Sequence, residues 1–219
     1  MAYKDLKIAS VIVVAGMAVL AVAAIQRLPA GTMLPTHWDV AGNVDGTMPA
    51  PLALFFGVGV TALVSLGMAI VPALDPLQDR LAASAPVYRA AWAGTLALMA
   101  AVEAKIAAPA FGWTLPALLP LAAAGVLLIV IGNVLPKSRP SFFVGIRTPW
   151  TLTDTDNWIA THRLGGRTMM LGGVLLIAAA IAPLSGDARM MLVVAAIAIS
   201  VLPPLIFSYL FWRRHGVRG

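Results

Sequence analysis

The chain is 219 residues long, 60% hydrophobic and only 11% charged, against about 25% charged in an ordinary soluble domain. That balance excludes a soluble globule of this size, and it assigns the net charge of +6 to an anionic membrane leaflet rather than to nucleic acid. With no cysteine, disulfides, thiolate metal sites and cysteine nucleophiles are excluded as well.

Lys4 and Lys7 precede an apolar run from Ile8 to Ile25, and Ala21-Val22-Ala23 resembles a signal-peptide cleavage site. The run is longer than the roughly 7–15 residues of a signal core, so it is read as a retained first span. Stretches of about 20 apolar residues predict spans over Ile8–Arg27, Leu52–Leu74, Val87–Ala108, Thr114–Leu135, Thr168–Leu184 and Arg189–Phe211. Several are apolar around the whole helical circumference, the mark of a lipid-embedded helix. The fifth is the shortest, and its helix is expected to begin within the preceding loop. The expected fold is all-α: one polytopic membrane domain over residues 1–219.

Basic residues choose the orientation. Lys4, Lys7, Arg80, Arg89, Lys137, Arg139, Arg147, Arg163, Arg167, Arg213, Arg214 and Arg218 flank one face, Arg27 and Arg189 the other, and Lys105 lies within a span. The positive-inside rule makes the first face cytoplasmic. The expectation is a bacterial inner-membrane protein with both termini inside, and with membrane lipids as its first partners.

Two connections are long, and they fall on opposite faces. The outer loop, residues 28–51, contains Leu34-Pro-Thr-His-Trp-Asp and then Gly42-Asn-Val-Asp-Gly46, whose Gly and Asn are turn signals. His37, Asp39 and Asp45 form a candidate divalent-cation set of one imidazole and two carboxylates, against the plainer reading of turn capping. The inner loop, residues 133–167, carries Gly145-Ile-Arg-Thr-Pro-Trp-Thr-Leu152, Trp158 and Thr161-His-Arg163. Thr153 followed by Asp156 reads as a helix start, and the ensuing helix would lie along the membrane with Trp158 and His162 on one face. Lys137, Arg147 and Arg163 are candidate anion contacts, with ordinary membrane anchoring as the alternative for Lys137, Arg139 and Arg167.

Glu103 and Lys105 fall near the outer end of the third span, two residues apart and so not paired with each other. Lys105 can snorkel to the interface, whereas Glu103 needs a partner or a proton; Arg27, His37 and a neighbouring chain's Lys105 are candidates. Gly165-Gly166 and Gly172-Gly173 form a small-residue stripe for a closely packed helix, within the chain or in a second copy of it. The pattern span–long loop–span–span occurs twice, a faint sign of an inverted repeat. No His-Glu-x-x-His, Gly-x-Ser-x-Gly or phosphate-loop motif is present, so neither an enzyme nor a cofactor is expected.

The outer motif resembles the short amino-terminal domain of unknown function (DUF1648) found in SdpI-like proteins. Asn133-Val-Leu-Pro-Lys137, Gly145–Leu152, Trp158 and Thr161-His-Arg163 look like the SdpI signature. Ser141 replaces the usual Asn, and Met48-Pro49 stands near where Lys is common. The resemblance implies an immunity protein and sensor for a secreted antimicrobial peptide, which captures a transcriptional repressor at the membrane without binding nucleic acid itself. Under it, His37, Trp38, Asp39 and Asp45 would shape the outer recognition surface, and Arg147, Thr148, Trp150, Trp158, His162 and Arg163 the inner one. The alternative is a small transporter or lipid-handling protein in which Glu103 gates or carries a proton.

Overall fold

The computed structural model describes residues 3–74 and 82–215; the predicted inner cations Arg80 and Arg218 lie outside them. Helix α1 spans Lys4–Ile25, strands β1 and β2 span Met33–Trp38 and Val44–Pro49, and α2 and α3 span Ala50–Leu74 and Ala85–Phe111. Helix α4 (Leu119–Val134) runs into a single 3₁₀ turn, Leu135–Lys137. The short α5 (Pro149–Thr153), then α6 (Thr155–Ile181) and α7 (Gly186–His215) complete the chain. Six helices, α4 being taken together with its 3₁₀ turn as Leu119–Lys137, are long and apolar enough to cross a membrane.

Burial explains why these helices need lipid. In α1 the buried residues are Leu6, Ser10, Met17, Ala21 and Ala24, a stripe at helical spacing. The opposite face is as apolar and lies bare, with Val11 and Val19 each 69% exposed. The pattern repeats at Leu63 in α2 and Ile181 in α6. Between the helices small or weakly polar residues such as Ser10, Ala21, Ala24, Ala53, Thr61 and Ala107 are interleaved with larger ones such as Leu54 and Trp92, and the small ones permit the close van der Waals fit that drives association in lipid.

Helices α1, α2 and α3 pack mutually; α3 then packs on α4, α4 on α6, and α6 on α7. The glycine pairs of α6 make this possible within one chain. A Cβ on Gly166 would stand 2.6 Å from the Gly132 carbonyl oxygen of α4, and one on Gly125 of α4 2.6 Å from that of Gly173. Gly172 turns the other way, toward Ala196 and Ser200 of α7, while Gly165 faces Ile146 of the inner loop, with Pro204 of α7 at ordinary contact distance. Pro203 and Pro204 sit inside α7 and remove two of its backbone N–H donors. The two halves share their order of elements but not their packing.

Two expectations are corrected. The outer loop is an antiparallel hairpin, pairing Met33 with Pro49, His37 with Gly46 and Trp38 with Val44 across an irregular register. Leu34, 1% exposed, pins it to the core of α2 and α3 that includes Ala50, Leu54 and Ile106. The inner helix is no separate interfacial segment. Asp154, not Thr153, caps α6, its carboxylate accepting from the backbone N–H groups of Asp156 (2.8 Å) and Asn157 (3.1 Å). From there α6 runs 27 residues without interruption.

Substituting Gly166 with Val should force α4 and α6 apart at a cost of about 1–3 kcal/mol. We expect a lowered thermal midpoint in detergent, whereas Ala at Gly16, which has open space around it, should leave the midpoint unchanged or raised.

Candidate functional site

The hairpin and the inner loop occupy opposite ends of the bundle. The hairpin joins the end of α1 to the start of α2, and its Gly42 approaches Ala117 in the α3–α4 connection. At the other end, the Arg139 backbone N–H in the inner loop donates to the hydroxyl of Ser84, just before α3 (2.9 Å).

At the hairpin end, His37 Nδ1 and Asp45 Oδ1 lie 2.5 Å apart across the strands. Asp39 does not join them. Its two carboxylate oxygens accept from the Asn43 backbone N–H (2.8 Å) and side-chain amide (3.0 Å), closing the turn. His37 and Asp45 thus fasten the two strands to each other, and Asp39 fastens the turn between them. Trp38 lies beneath Lys105, whose ammonium is 5.7 Å from the ring centroid and donates to the Leu115 carbonyl (2.8 Å). A cavity of about 290 Å³ opens here, lined by His37, Trp38, Asp39, Leu118, Leu121 and Val193. Arg189, 9% exposed, was legible in sequence only as an outer cation. Its guanidinium donates to the carbonyls of Ala179 (2.8 Å), Ala182 (3.3 Å) and Val40 (3.3 Å). It thereby closes the C-terminus of α6, where a cation complements the helix dipole, and ties the hairpin turn to α7.

At the other end the signature residues fold the loop onto the helices. Thr148 caps α5: its hydroxyl accepts from the Thr151 N–H (3.2 Å) while the Thr151 hydroxyl accepts from the Thr148 N–H (2.9 Å). His162 is fully buried and stacks on Trp158 at 4.0 Å. The Ile146 backbone N–H donates to His162 Nε2 (2.7 Å), which fixes that nitrogen as the unprotonated one. Nδ1–H then donates to the Trp158 carbonyl (2.7 Å). Gly145 has φ +118, and a Cβ there would meet both the imidazole (2.5 Å) and the indole (2.6 Å). The backbone therefore passes over the two stacked rings only as glycine.

Ser208 of α7 gathers the rest. Its hydroxyl accepts from the Trp150 indole N–H (2.6 Å) and its carbonyl from the Asn157 side chain (2.9 Å), while Thr161 donates to Asn157 Oδ1 (2.9 Å). Sequence reasoning missed Ser208 and Asn157; the four-residue spacing of Asn157 and Thr161 was the available signal. Thr148, Trp158 and His162 thus point inward and Trp150 is half-buried. Lys137, Arg139, Arg147, Arg163 and Arg167 are exposed, and none is ion-paired among the described residues. Arg147 instead lies over the Phe142 ring at 4.9 Å.

Glu103 joins neither end. It is 1% exposed and neither carboxylate oxygen has a hydrogen-bond partner. The partners expected for it are engaged elsewhere: Arg27 lies over Phe111 at 4.5 Å, Lys105 on Leu115, and His37 beside Asp45.

Six membrane-length helices, with dissimilar polar structures closing the two ends, define a multi-pass membrane protein. Residues 137–208 match the SdpI/YfhL protein family, and residues 12–62 match the domain of unknown function DUF1648. Over 90 residues the chain is 22% identical to "Immunity protein SdpI" of Bacillus subtilis (strain 168), a stretch covering 41% of this chain and 42% of that relative. The match thus spans less than half the length of the relative. The chain is thus a multi-pass membrane protein that carries an SdpI/YfhL match in its second half and a DUF1648 match in its first, and it is a distant homologue of that immunity protein. No solved structure matches it.

Two outcomes follow. Gly145→Ala should unseat the loop from His162 and leave the Ile146 N–H unpaired, a cost of about 1–3 kcal/mol, seen as faster hydrogen exchange at that amide. The Asn43 side-chain amide, and after it the Asn43 N–H, hold the Asp39 carboxyl below the usual carboxylate range. The turn's stabilisation is therefore complete above the unfolded value of about 3.9 and is lost as pH falls through the lower folded one. Exchange of the hairpin amides should accelerate with acid over that window beyond the intrinsic trend, and Asp39→Asn should abolish the excess.

Proposed function

We propose that this protein is a non-enzymatic immunity or sensor protein for a secreted, envelope-active peptide. The hairpin faces outward, and the signature loop and both termini face the cytoplasm. The observation that carries the reading is the cavity beneath the hairpin. Its apolar floor of Leu118, Leu121 and Val193 lies beside the indole of Trp38 and the carboxylate of Asp39, at a volume suited to an aromatic or aliphatic side chain of a peptide. Among the described cations, Lys4, Lys7, Arg89, Lys137, Arg139, Arg147, Arg163, Arg167, Arg213 and Arg214 sit toward the signature end, which supports the orientation. Kinship with a protein named for immunity supports the role.

On this reading the inner face presents Arg163 and Arg147, the latter over the exposed Phe142, to an acidic protein partner such as a repressor. The buried Thr148, Trp158 and His162 hold that face in shape.

Cells expressing the protein should survive envelope-targeting peptides that kill the parent strain. Trp38→Ala should abolish protection by emptying one wall of the cavity. Arg147→Ala should spare expression while removing the response that depends on the inner partner. Survival and signalling unchanged in both variants would refute the site assignment, and no protection against any peptide would favour lipid or small-molecule handling.

A further inference from the structure

The buried side-chain atoms without hydrogen-bond partners among the described residues are Ser65 Oγ, Glu103 Oε1 and Glu103 Oε2, and all lie in the α1–α2–α3 sector. Ser65 lines a groove of about 460 Å³ that runs between α1 and α2 from Lys7 past Ser10 and Trp92 to Ala18. One turn along α2 is Thr61, 1% exposed, whose hydroxyl donates to the Gly57 carbonyl (2.8 Å). A further turn on is Gly57, bare of a side chain where the Glu103 carboxylate presses against α2. Gly57, Thr61 and Ser65 recur every four residues and so share one face. This is a line of hydroxyls from an open groove to a buried carboxyl.

Among the described residues, nothing near it balances a negative charge. Helices α2 and α4 contain no ionisable residue, and those of α1 lie in its first turns, where Asp5 pairs with Arg89. On α3, Tyr88 donates to the Met68 carbonyl and Lys105 to that of Leu115. His37 of β1 pairs with Asp45, and Arg27 lies over Phe111. A carboxylate sealed from water without a counter-charge is strongly disfavoured, whereas the neutral acid is tolerated.

We propose that Glu103 is an intramembrane proton-binding site that exchanges its proton with the Lys7 end of the bundle along Thr61 and Ser65. Glu103 is the sole glutamate in the chain, so isotopic labelling of the glutamate side-chain carboxyl reports one site without any variant. In the full-length protein reconstituted in liposomes, infrared spectroscopy at neutral pH should show that carboxyl in its protonated form. Its band should shift after transfer to heavy water, several-fold more slowly in a Thr61→Val, Ser65→Ala double variant. An ionised carboxylate signal at neutral pH, whether or not it responds to sodium, would overturn the proton site. A protonated band that never exchanges, or that exchanges at the same rate in the double variant, would overturn the route.

Discussion

The contact on which this bundle's second half depends is backbone against backbone. Lipid is as apolar as leucine, so hydrophobic burial cannot press one membrane helix onto another; close fit must do it. At Gly125, Gly132, Gly166 and Gly173 the chains of α4 and α6 come within reach of each other's carbonyls. The same helix uses Gly172 to accept α7 and Gly165 to accept Ile146 of the inner loop. Because α6 is clasped on both sides, its first turns are a firm seat, and there Asn157, Trp158, Thr161 and His162 receive the signature loop.

That seating gives the signature motif a physical meaning. Its most distinctive polar and aromatic residues hold the loop, and the exposed residues beside them meet the surroundings. His162 is bonded at both nitrogens and stacked on Trp158, so it has no free valence for a ligand. Thr148 and Thr151 satisfy each other. Arg147 and Arg163, by contrast, emerge from a backbone whose position is fixed by those buried bonds.

Much of the architecture was legible because the bilayer is a severe filter. Long apolar stretches have few alternatives to spanning it, and all six predicted spans correspond to helices of sufficient length. The early start of the fifth helix was also legible, though Asp154 rather than Thr153 captured the cap, since the carboxylate reaches two N–H groups at once. The hairpin was not legible as strands: Pro35, Gly46 and Pro49 interrupt any alternation, and the pairing rests on Leu34 meeting α2 and α3. Ser208 was invisible for another reason. A single hydroxyl in an apolar span has no sequence period, and its importance comes from Trp150 and Asn157, more than fifty positions away. Glu103 stood out as an ionisable residue in a span, but its lack of any partner is a property of three packed helices.

The two prolines of α7 bear on how the ends of the molecule relate. Arg189 fastens the start of this helix to the hairpin turn, and Ser208 fastens its far part to the signature loop. Between the anchors, Pro203 and Pro204 leave a stretch with fewer backbone bonds, a compliant joint in an otherwise stiff rod. Helix α6, clamped at one end by Arg189 and running on to the Trp158–His162 stack, carries no proline. The two ends of the molecule thus meet α6, the glycine-rich helix in the middle, at unbroken helical backbone, and meet α7 at either side of its prolines.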